Sequence, residues 1–192
     1  MVLYVVRHGQ TDWNVENRFQ GHTNTHLTKL GKQQAEKLAL SLRDTHLDAI
    51  LSSPLQRAID TASIINQYKH LPITIEPRLI ERSFGDFEGL DDISQFGCSI
   101  HTLLNYNLNY DLHNVEPIQD LFKRVDSLLI DLEKNFSNKQ ILLSTHGGIV
   151  QVIESILKKL PKSTDLQSLS FSNCEYRVYD THTHNLDYDL ER

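Results

Sequence analysis

The 192-residue sequence has few of the features that mark secreted or membrane proteins. Its only cysteines, Cys98 and Cys174, lie far apart in no Cys-x-x-Cys arrangement, which favours free thiols, with one long-range disulfide as the alternative. No run approaches the roughly 18 apolar residues that a membrane helix needs. The apolar start meets Arg7 at once, unlike a signal peptide. We therefore expect a cytoplasmic protein with no membrane partner.

Positive charge is also scarce, because 19 Lys and Arg stand against 25 Asp and Glu, giving a formal net charge of −6. Binding to the nucleic-acid backbone needs a basic footprint, so no nucleic-acid partner is expected. A basic site in this chain must therefore be local. The length fits a single domain over residues 1–192, and the sequence leaves the oligomeric state open.

Short apolar runs of strand length alternate with segments of helical periodicity. Strands are predicted at residues 2–6, 48–52, 73–76, 140–144 and 175–179. Helices are predicted at residues 28–42, 53–65, 118–135 and 149–160. Thr28 is the expected N-cap of the first helix, and Ser53 caps the second, with Pro54 at its first position and Gln56 completing a capping box. This alternation predicts an α/β three-layer sandwich, with a mostly parallel central sheet flanked by helices on both faces.

Residues 91–117 interrupt the alternation and carry little periodicity, so they are predicted to form a lid or insertion. The segment contains the aromatic residues Phe96, Tyr106 and Tyr110 but no Lys or Arg. A substrate held beneath such a lid is expected to carry a neutral or apolar group.

Basic residues follow three of the predicted strands. Arg7 and His8 follow the first, Arg57 comes just after the second, and His146 follows the fourth. Carboxyl ends of parallel strands share one edge of a sheet, so these side chains are expected to converge. Arginine suits phosphate oxygens, and a neutral imidazole can attack phosphorus. Gly147 lets the backbone approach such a ligand closely. Taken alone, Arg-His-Gly is more typical of a surface turn, so the interpretation needs support from the rest of the chain.

A metal site is the main chemical alternative, because the chain has ten histidines. His8 and His146 lie in no tight His-x-x-x-His pattern, and no carboxylate is spaced to complete one. No metal is therefore expected, although ligands from distant segments are not excluded by spacing.

An ordered set of motifs from residue 7 to residue 148 resembles the histidine phosphatase superfamily, also called the phosphoglycerate mutase-like family, in its phosphatase branch. The matching motifs are Arg7-His8-Gly9-Gln10-Thr11, Asn14, Gln20-Gly21, Leu27-Thr28, Gly31, Gln34-Ala35, Ser53-Pro54-Leu55-x-Arg57-Ala58, Thr61, Leu79-x-Glu81, Gly85, Glu88-Gly89 and His146-Gly147-Gly148. The resemblance implies a phosphohistidine intermediate on His8, with Arg7, Arg57 and His146 around the phosphoryl group.

The resemblance also implies roles for further residues. Glu81 corresponds to the acid that protonates the leaving alcohol and helps to activate water, so His8, Glu81 and His146 form the catalytic set. The alternative for Glu81 is a surface carboxylate paired with Arg78 or Arg82. The remaining expected phosphate ligands and substrate-binding residues are Asn14, Gly147, Gln20 and Gly21. The family's usual aspartate is Asn24 here, a change expected to affect local structure more than chemistry.

The function implied is hydrolysis of a small-molecule phosphate monoester, without metal or other cofactor. The alternatives are a cofactor-dependent phosphoglycerate mutase, a specific phosphatase acting on α-ribazole phosphate or fructose 2,6-bisphosphate, and an inactive binding module. Mutases of the family have glutamine before the glycine where this chain has Glu88, and they carry a longer basic insertion. The absence of Lys and Arg from residues 91–117 therefore favours a phosphatase.

Overall fold

The computed structural model describes residues 1–106 and 113–181. Its strands are β1 (Val2–Arg7), β2 (Ala49–Ser52), β3 (Ile73–Ile75), β4 (Gln140–Thr145) and β5 (Tyr176–Asp180). Its α-helices are α1 (Asp12–Val15), α2 (Lys29–Ser41), α3 (Gln56–Ile65), α4 (Ile100–Leu103), α5 (Ile118–Phe136) and α6 (Gly147–Leu157). Among the described residues, no helix is long and apolar enough to cross a membrane.

The five strands form one sheet in the order β3-β2-β4-β1-β5. The three pairs among β3, β2, β4 and β1 are parallel, and β5 pairs with β1 in the antiparallel direction. The sequence-based prediction of a mostly parallel sheet is confirmed. The carboxyl ends of β1, β2 and β4 consequently meet at the same edge.

Alternate residues of the strands face opposite sides of the sheet and enter two separate cores. Val5 and Leu143 pack with the buried faces of α5 and α6. Val6 and Leu142 pack with the buried residues of α2 and α3 on the other side. Helices therefore cover both faces, which gives the predicted three-layer α/β sandwich.

Helix α5 illustrates how the apolar pattern specifies packing. It buries one stripe against the sheet while its opposite face is polar. Its buried residues are Ile118, Leu121, Val125, Leu128, Leu129 and Leu132. Because the apolar residues recur with a clear helical period, the helix predicted at residues 118–135 nearly matches the observed bounds of α5.

The start of helix α3, predicted at residue 53, is wrong by about one turn. Helix α3 begins at Gln56 after Leu55 as N-cap. Ser53 Oγ accepts from the Leu55 backbone N–H at 3.3 Å, and the amide oxygen of Asn24 accepts from the Gln56 backbone N–H at 2.9 Å. In contrast, Thr28 caps α2 as predicted, since its side chain accepts from the Gly31 N–H.

Residues 91–117 form a short 3₁₀ turn and helix α4 in their described part. A small apolar cluster joins this segment to the chain before it. The buried members of the cluster are Phe87, Ile93, Cys98, Leu103 and Val115. Tyr110 lies outside the described residues, so the sequence-based expectation for it has no structural counterpart.

Leu128→Ala should lower the free energy of unfolding by about 2–5 kcal/mol, because the side chain is fully buried between α5 and the sheet. Denaturant unfolding followed by circular dichroism measures this loss. Lys134→Ala, at an exposed position of the same helix, is the matched control and should change stability by less than about 0.5 kcal/mol. Equal losses in both variants would contradict the packing described for α5.

Candidate active site

The two histidines of the site are brought together by the pairing of β1 with β4. Arg7 lies opposite Thr145 in this parallel register, and the His8 backbone N–H donates to the Thr145 carbonyl at 2.9 Å. His8 and His146 therefore leave the sheet side by side, with ring centroids 5.2 Å apart. The convergence expected from the sequence is present.

The imidazole of His8 is held in one tautomer. Its Nδ1 lies 2.7 Å from the carbonyl oxygen of Gly9, which only accepts, so Nδ1 carries the proton and Nε2 keeps its lone pair. Burial, followed by the charges of Arg57 and Arg7, holds the pKa of His8 well below its usual value. His8 is thus a neutral imidazole with a free basic nitrogen.

His146 is fully buried and bonded at both ring nitrogens. Arg57 Nε donates to His146 Nδ1 at 3.2 Å, so Nε2 carries the proton and donates to Ser53 Oγ at 2.6 Å. Burial, together with the charges of Arg57, His8, Arg7 and Arg124, also lowers the pKa of His146 well below its usual value. Ser53, predicted only as a helix cap, thus also fixes this imidazole.

Arg57 is a buried cation at the base of the site. Besides its contact with His146, it donates through Nη1 to the Thr23 carbonyl and through Nη2 to the Gly21 carbonyl, each at 2.8 Å. A guanidinium has five N–H groups, so one hydrogen on each Nη is left for a ligand. Burial lowers the pKa of Arg57 to about 10, which keeps the side chain charged near neutrality.

Arg7 lies closer to solvent and has donors to spare. One guanidinium nitrogen donates to the Phe171 carbonyl, while the buried Nε has no partner among the described residues. Burial lowers the pKa of Arg7, and the charges of Glu81 and Glu175 oppose that shift. A Cβ placed on Gly147, the first residue of α6, would lie 3.7 Å from Arg7 Nε, an ordinary contact distance, so the α6 backbone lies beside Arg7 without requiring glycine there.

Glu81 is buried beside these groups and does not form the surface ion pair considered from the sequence. Its carboxylate accepts from the Arg82 backbone N–H at 2.9 Å and from the Gly148 N–H at 3.2 Å. The Arg78 side chain pairs with Glu76 instead. The acid is thereby fixed at the amino-terminal end of α6.

A cleft of about 390 Å³ opens in front of these residues. It is lined by Arg7, Trp13, Asn14, Asn17, Arg18, Phe19, Gln20, Gly21, Glu81, Phe84, Ile100 and Asn173. His8, Arg57 and His146 are at most 3% exposed and do not line the cleft. The site residues expected from the sequence thus divide into a deep set and a cleft-lining set.

Asn14 and Gln20 are anchored where they line the cleft. Asn14 Oδ1 accepts from the Thr11 N–H at 3.1 Å and from Asn173 Nδ2 at 3.2 Å. Because the oxygen is occupied by protein donors, the Asn14 N–H₂ group is the part that can donate to a ligand. Gln20 Oε1 accepts from Thr25 Oγ1 at 2.8 Å.

The aromatic residues that line the cleft differ from those singled out in the sequence. Phe96 packs against Phe87, and Tyr106 packs against Phe122, so neither lines the cleft. Its aromatic lining comes from Trp13, Phe19 and Phe84. These three lie outside residues 91–117, the segment in which the sequence composition predicted the aromatic residues near the substrate.

The chain is similar to known proteins in both sequence and fold. The profile of the Histidine phosphatase superfamily (branch 1) matches residues 3–190. The Uncharacterized phosphatase PhoE of Bacillus subtilis (strain 168) is 32% identical over 181 residues, covering 90% of this chain and 86% of the relative. The Probable phosphoglycerate mutase GpmB of Enterobacter sp. (strain 638) is 32% identical over 183 residues, covering 91% and 85% respectively.

A solved structure of mycobacterial glucosyl-3-phosphoglycerate phosphatase in complex with VO3 has the same fold. It matches with a TM-score of 0.82 and 29% identity, covering 92% of this chain and 91% of that chain. Sequence motifs, fold and profile agree over nearly the whole length, and the chain belongs to the histidine phosphatase superfamily (branch 1).

Proposed function

We propose that this protein hydrolyses small-molecule phosphate monoesters through a phosphohistidine intermediate on His8. The observation that carries the proposal is the neutral His8 imidazole, whose Nδ1 proton is bonded to the Gly9 carbonyl while Nε2 keeps its lone pair near Arg7 and the buried Arg57. That combination is what nucleophilic attack on a phosphoryl group requires. The phosphatase names of the relatives support the same reaction class.

In the first step, His8 Nε2 attacks phosphorus and the bond from phosphorus to the ester oxygen breaks. Glu81, held by the Gly148 and Arg82 N–H groups, gives a proton to the departing alcohol oxygen. In the second step, water attacks phosphorus and gives a proton to the Glu81 carboxylate. The bond from phosphorus to nitrogen then breaks and orthophosphate leaves.

Positive charge for this reaction comes from the protein itself. Arg7 has an unpartnered Nε, and Arg57 keeps two free N–H groups, so both can bind equatorial phosphoryl oxygens as charge develops. His146 and Gly147 complete this phosphate-binding set in the proposal, in which the His146 Nε2–H leaves Ser53 Oγ and donates to a phosphoryl oxygen when the ligand binds. Because the arginines supply the charge that a metal would otherwise bring, we propose a metal-independent reaction without a cofactor.

The cleft in front of His8 is the proposed binding site for the alcohol part of the substrate. Asn14 offers its N–H₂ group, and Gln20 and Gly21 form part of the wall. Residues 91–117 are proposed to act as the lid, since Ile100 of α4 reaches the cleft. The free thiols of Cys98 and Cys174 fit the proposed cytoplasmic location.

A screen of phosphorylated metabolites in the presence of a chelator tests the reaction class and names the ester. Release of orthophosphate without added metal supports the phosphatase. Transfer of phosphate to 3-phosphoglycerate in preference to water would support the mutase alternative, to which the relative named a phosphoglycerate mutase gives weight. The absence of Lys and Arg from residues 91–117 favours water as the acceptor.

His8→Ala should abolish the phosphoenzyme and reduce kcat by more than about 10³-fold, because the covalent route is removed. Rapid quenching of wild type with ³²P-labelled substrate should leave acid-labile, base-stable label on a His8 peptide. His26→Ala, at an exposed histidine, is the control and should keep both label and turnover. Label on His146 or on a hydroxyl group would show that the nucleophile is misassigned.

Glu81→Gln should slow hydrolysis of alkyl phosphates by about 10² to 10⁴-fold, the usual contribution of a general acid. The loss should be much smaller with p-nitrophenyl phosphate, whose leaving group needs little protonation. Steady-state kcat/KM on the two esters measures the difference, with the exposed Glu36→Gln as control. Equal losses on both esters would assign Glu81 a structural role instead.

The imidazole of His8 should remain neutral at pH 6.5, where an unperturbed histidine is half protonated. Burial and two neighbouring arginines disfavour its cation, so its protonation midpoint moves to lower pH and the nucleophile stays active in mild acid. Imidazole ¹⁵N NMR across pH 4–8, assigned with His8→Ala, follows this midpoint. A midpoint at or above pH 6.5 would be incompatible with the site as described.

A further inference from the structure

Glu88 lies outside the proposed catalytic set, yet its carboxylate accepts four hydrogen bonds, twice as many as that of Glu81. Oε1 accepts from the His22 N–H at 2.9 Å and from the Phe84 N–H at 3.2 Å. Oε2 accepts from the Thr23 N–H at 2.9 Å and from Thr23 Oγ1 at 2.6 Å. Three of these four donors belong to one short loop, residues 20–23.

The same loop contacts Arg57 through its carbonyl groups. Arg57 donates to the carbonyls of Gly21 and Thr23, each at 2.8 Å. The N–H groups of the loop thus bind Glu88, and its C=O groups bind the guanidinium. The Gly21–His22 peptide group in particular is oriented between the two, because its C=O accepts from Arg57 and its N–H donates to Glu88.

The close approach of the loop to Glu88 depends on glycine. Gly21 has a φ of +50°, a left-handed conformation that L side chains rarely adopt. A Cβ there would lie 1.9 Å from Glu88 Oε1. The loop is therefore pressed directly against the carboxylate, which limits how far Gly21 and its carbonyl can move.

Glu88 and Glu81 also interact electrostatically with Arg57. Arg57 is fully buried, and burial lowers its pKa, while the charges of Glu81 and Glu88 act in the opposite direction. The His22 ring also lies 2.9 Å, through Nε2, from the Glu81 carbonyl oxygen. Residues 20–23 therefore contact the surroundings of the proposed acid as well as those of the arginine.

We propose that Glu88 is a positioning residue that fixes the Arg57 guanidinium for phosphoryl binding by holding residues 20–23 in place. The proposal rests on the function proposed above, in which Arg57 binds the phosphoryl group. Glu88 itself contacts no reacting atom in this role, and its effect passes through the carbonyls of Gly21 and Thr23.

A positioning role and a purely electrostatic role of Glu88 predict opposite changes in phosphate affinity. Removing a negative charge near an anion site should tighten phosphate binding if charge alone matters. Loosening the loop should weaken phosphate binding, because the free N–H groups of Arg57 lose their orientation. Glu88→Gln removes the charge and places an amide N–H₂ against N–H donors, whereas Glu88→Asp keeps the charge but shortens the side chain.

Orthophosphate binding by isothermal titration calorimetry is the test, with circular dichroism to verify folding. Both Glu88→Gln and Glu88→Asp should weaken binding by about tenfold, the size expected when a supporting contact of a ligand-binding group is lost. Thr23→Val removes one of the four contacts and should give a smaller loss in the same direction. Glu36→Gln removes an exposed charge and should leave binding unchanged.

Two further measurements connect the effect to Arg57. In an Arg57→Ala background, Glu88→Gln should change phosphate affinity by less than about twofold, because coupled residues are not additive. The ¹⁵Nε–H resonance of Arg57 should shift in Glu88→Gln without phosphate present. Tighter binding in folded Glu88→Gln, an additive effect in the double variant, or an unmoved Arg57 resonance would overturn the proposal.

Failure of the proposed role of Glu88 can be distinguished from failure of the proposed function. A wild-type protein that binds orthophosphate but hydrolyses no ester would refute the proposed function while leaving the role of Glu88 measurable. A wild-type protein that binds no orthophosphate would refute the phosphate-positioning role. The Arg57 resonance would then show only whether Glu88 fixes that side chain structurally.

Discussion

The parallel pairing of β1 with β4 is the constraint on which the site depends. It places Arg7 opposite Thr145, and the hydrogen bond from His8 N–H to the Thr145 carbonyl extends the pairing one residue beyond the strand. A shift of one residue would turn every side chain of β1 to the other face. The apolar residues of β1 enter two different cores, so such a shift would be costly, and the burial of the strand residues before His8 and His146 fixes the positions of both histidines.

Concentrating buried cations around neutral histidines requires compensation, because an unpaired buried charge costs several kcal/mol or more. Arg57 obtains that compensation mainly from backbone carbonyls, which accept hydrogen bonds without neutralising the charge. The net positive character is thereby kept for a ligand. The same field disfavours the cationic form of both histidines, so the arginines that would bind phosphate also keep the nucleophile unprotonated.

The sequence was sufficient to predict the sheet, the convergence of basic residues and most helix bounds, because apolar period and strand ends are local signals. It missed the partner of Ser53 and the role of Asn24 at the start of α3. In each case a short polar side chain can bond to backbone nearby in the sequence, to a distant segment, or, as Ser53 does, to both. The choice depends on contacts more than 30 residues away, which no local pattern encodes.

The glycines after His146 show how a local motif acquires meaning from its surroundings. From the sequence, Gly147 and Gly148 are expected to allow close approach of a phosphate to the α6 backbone. In the structure, a Cβ on Gly148 would lie 2.6 Å from Glu81 Oε1. Glycine at this position therefore admits the carboxylate of a distant loop, and the hydrogen bond from the Gly148 N–H then orients it. Gly21 has the same relation to Glu88, so both carboxylates are held where a side chain is missing.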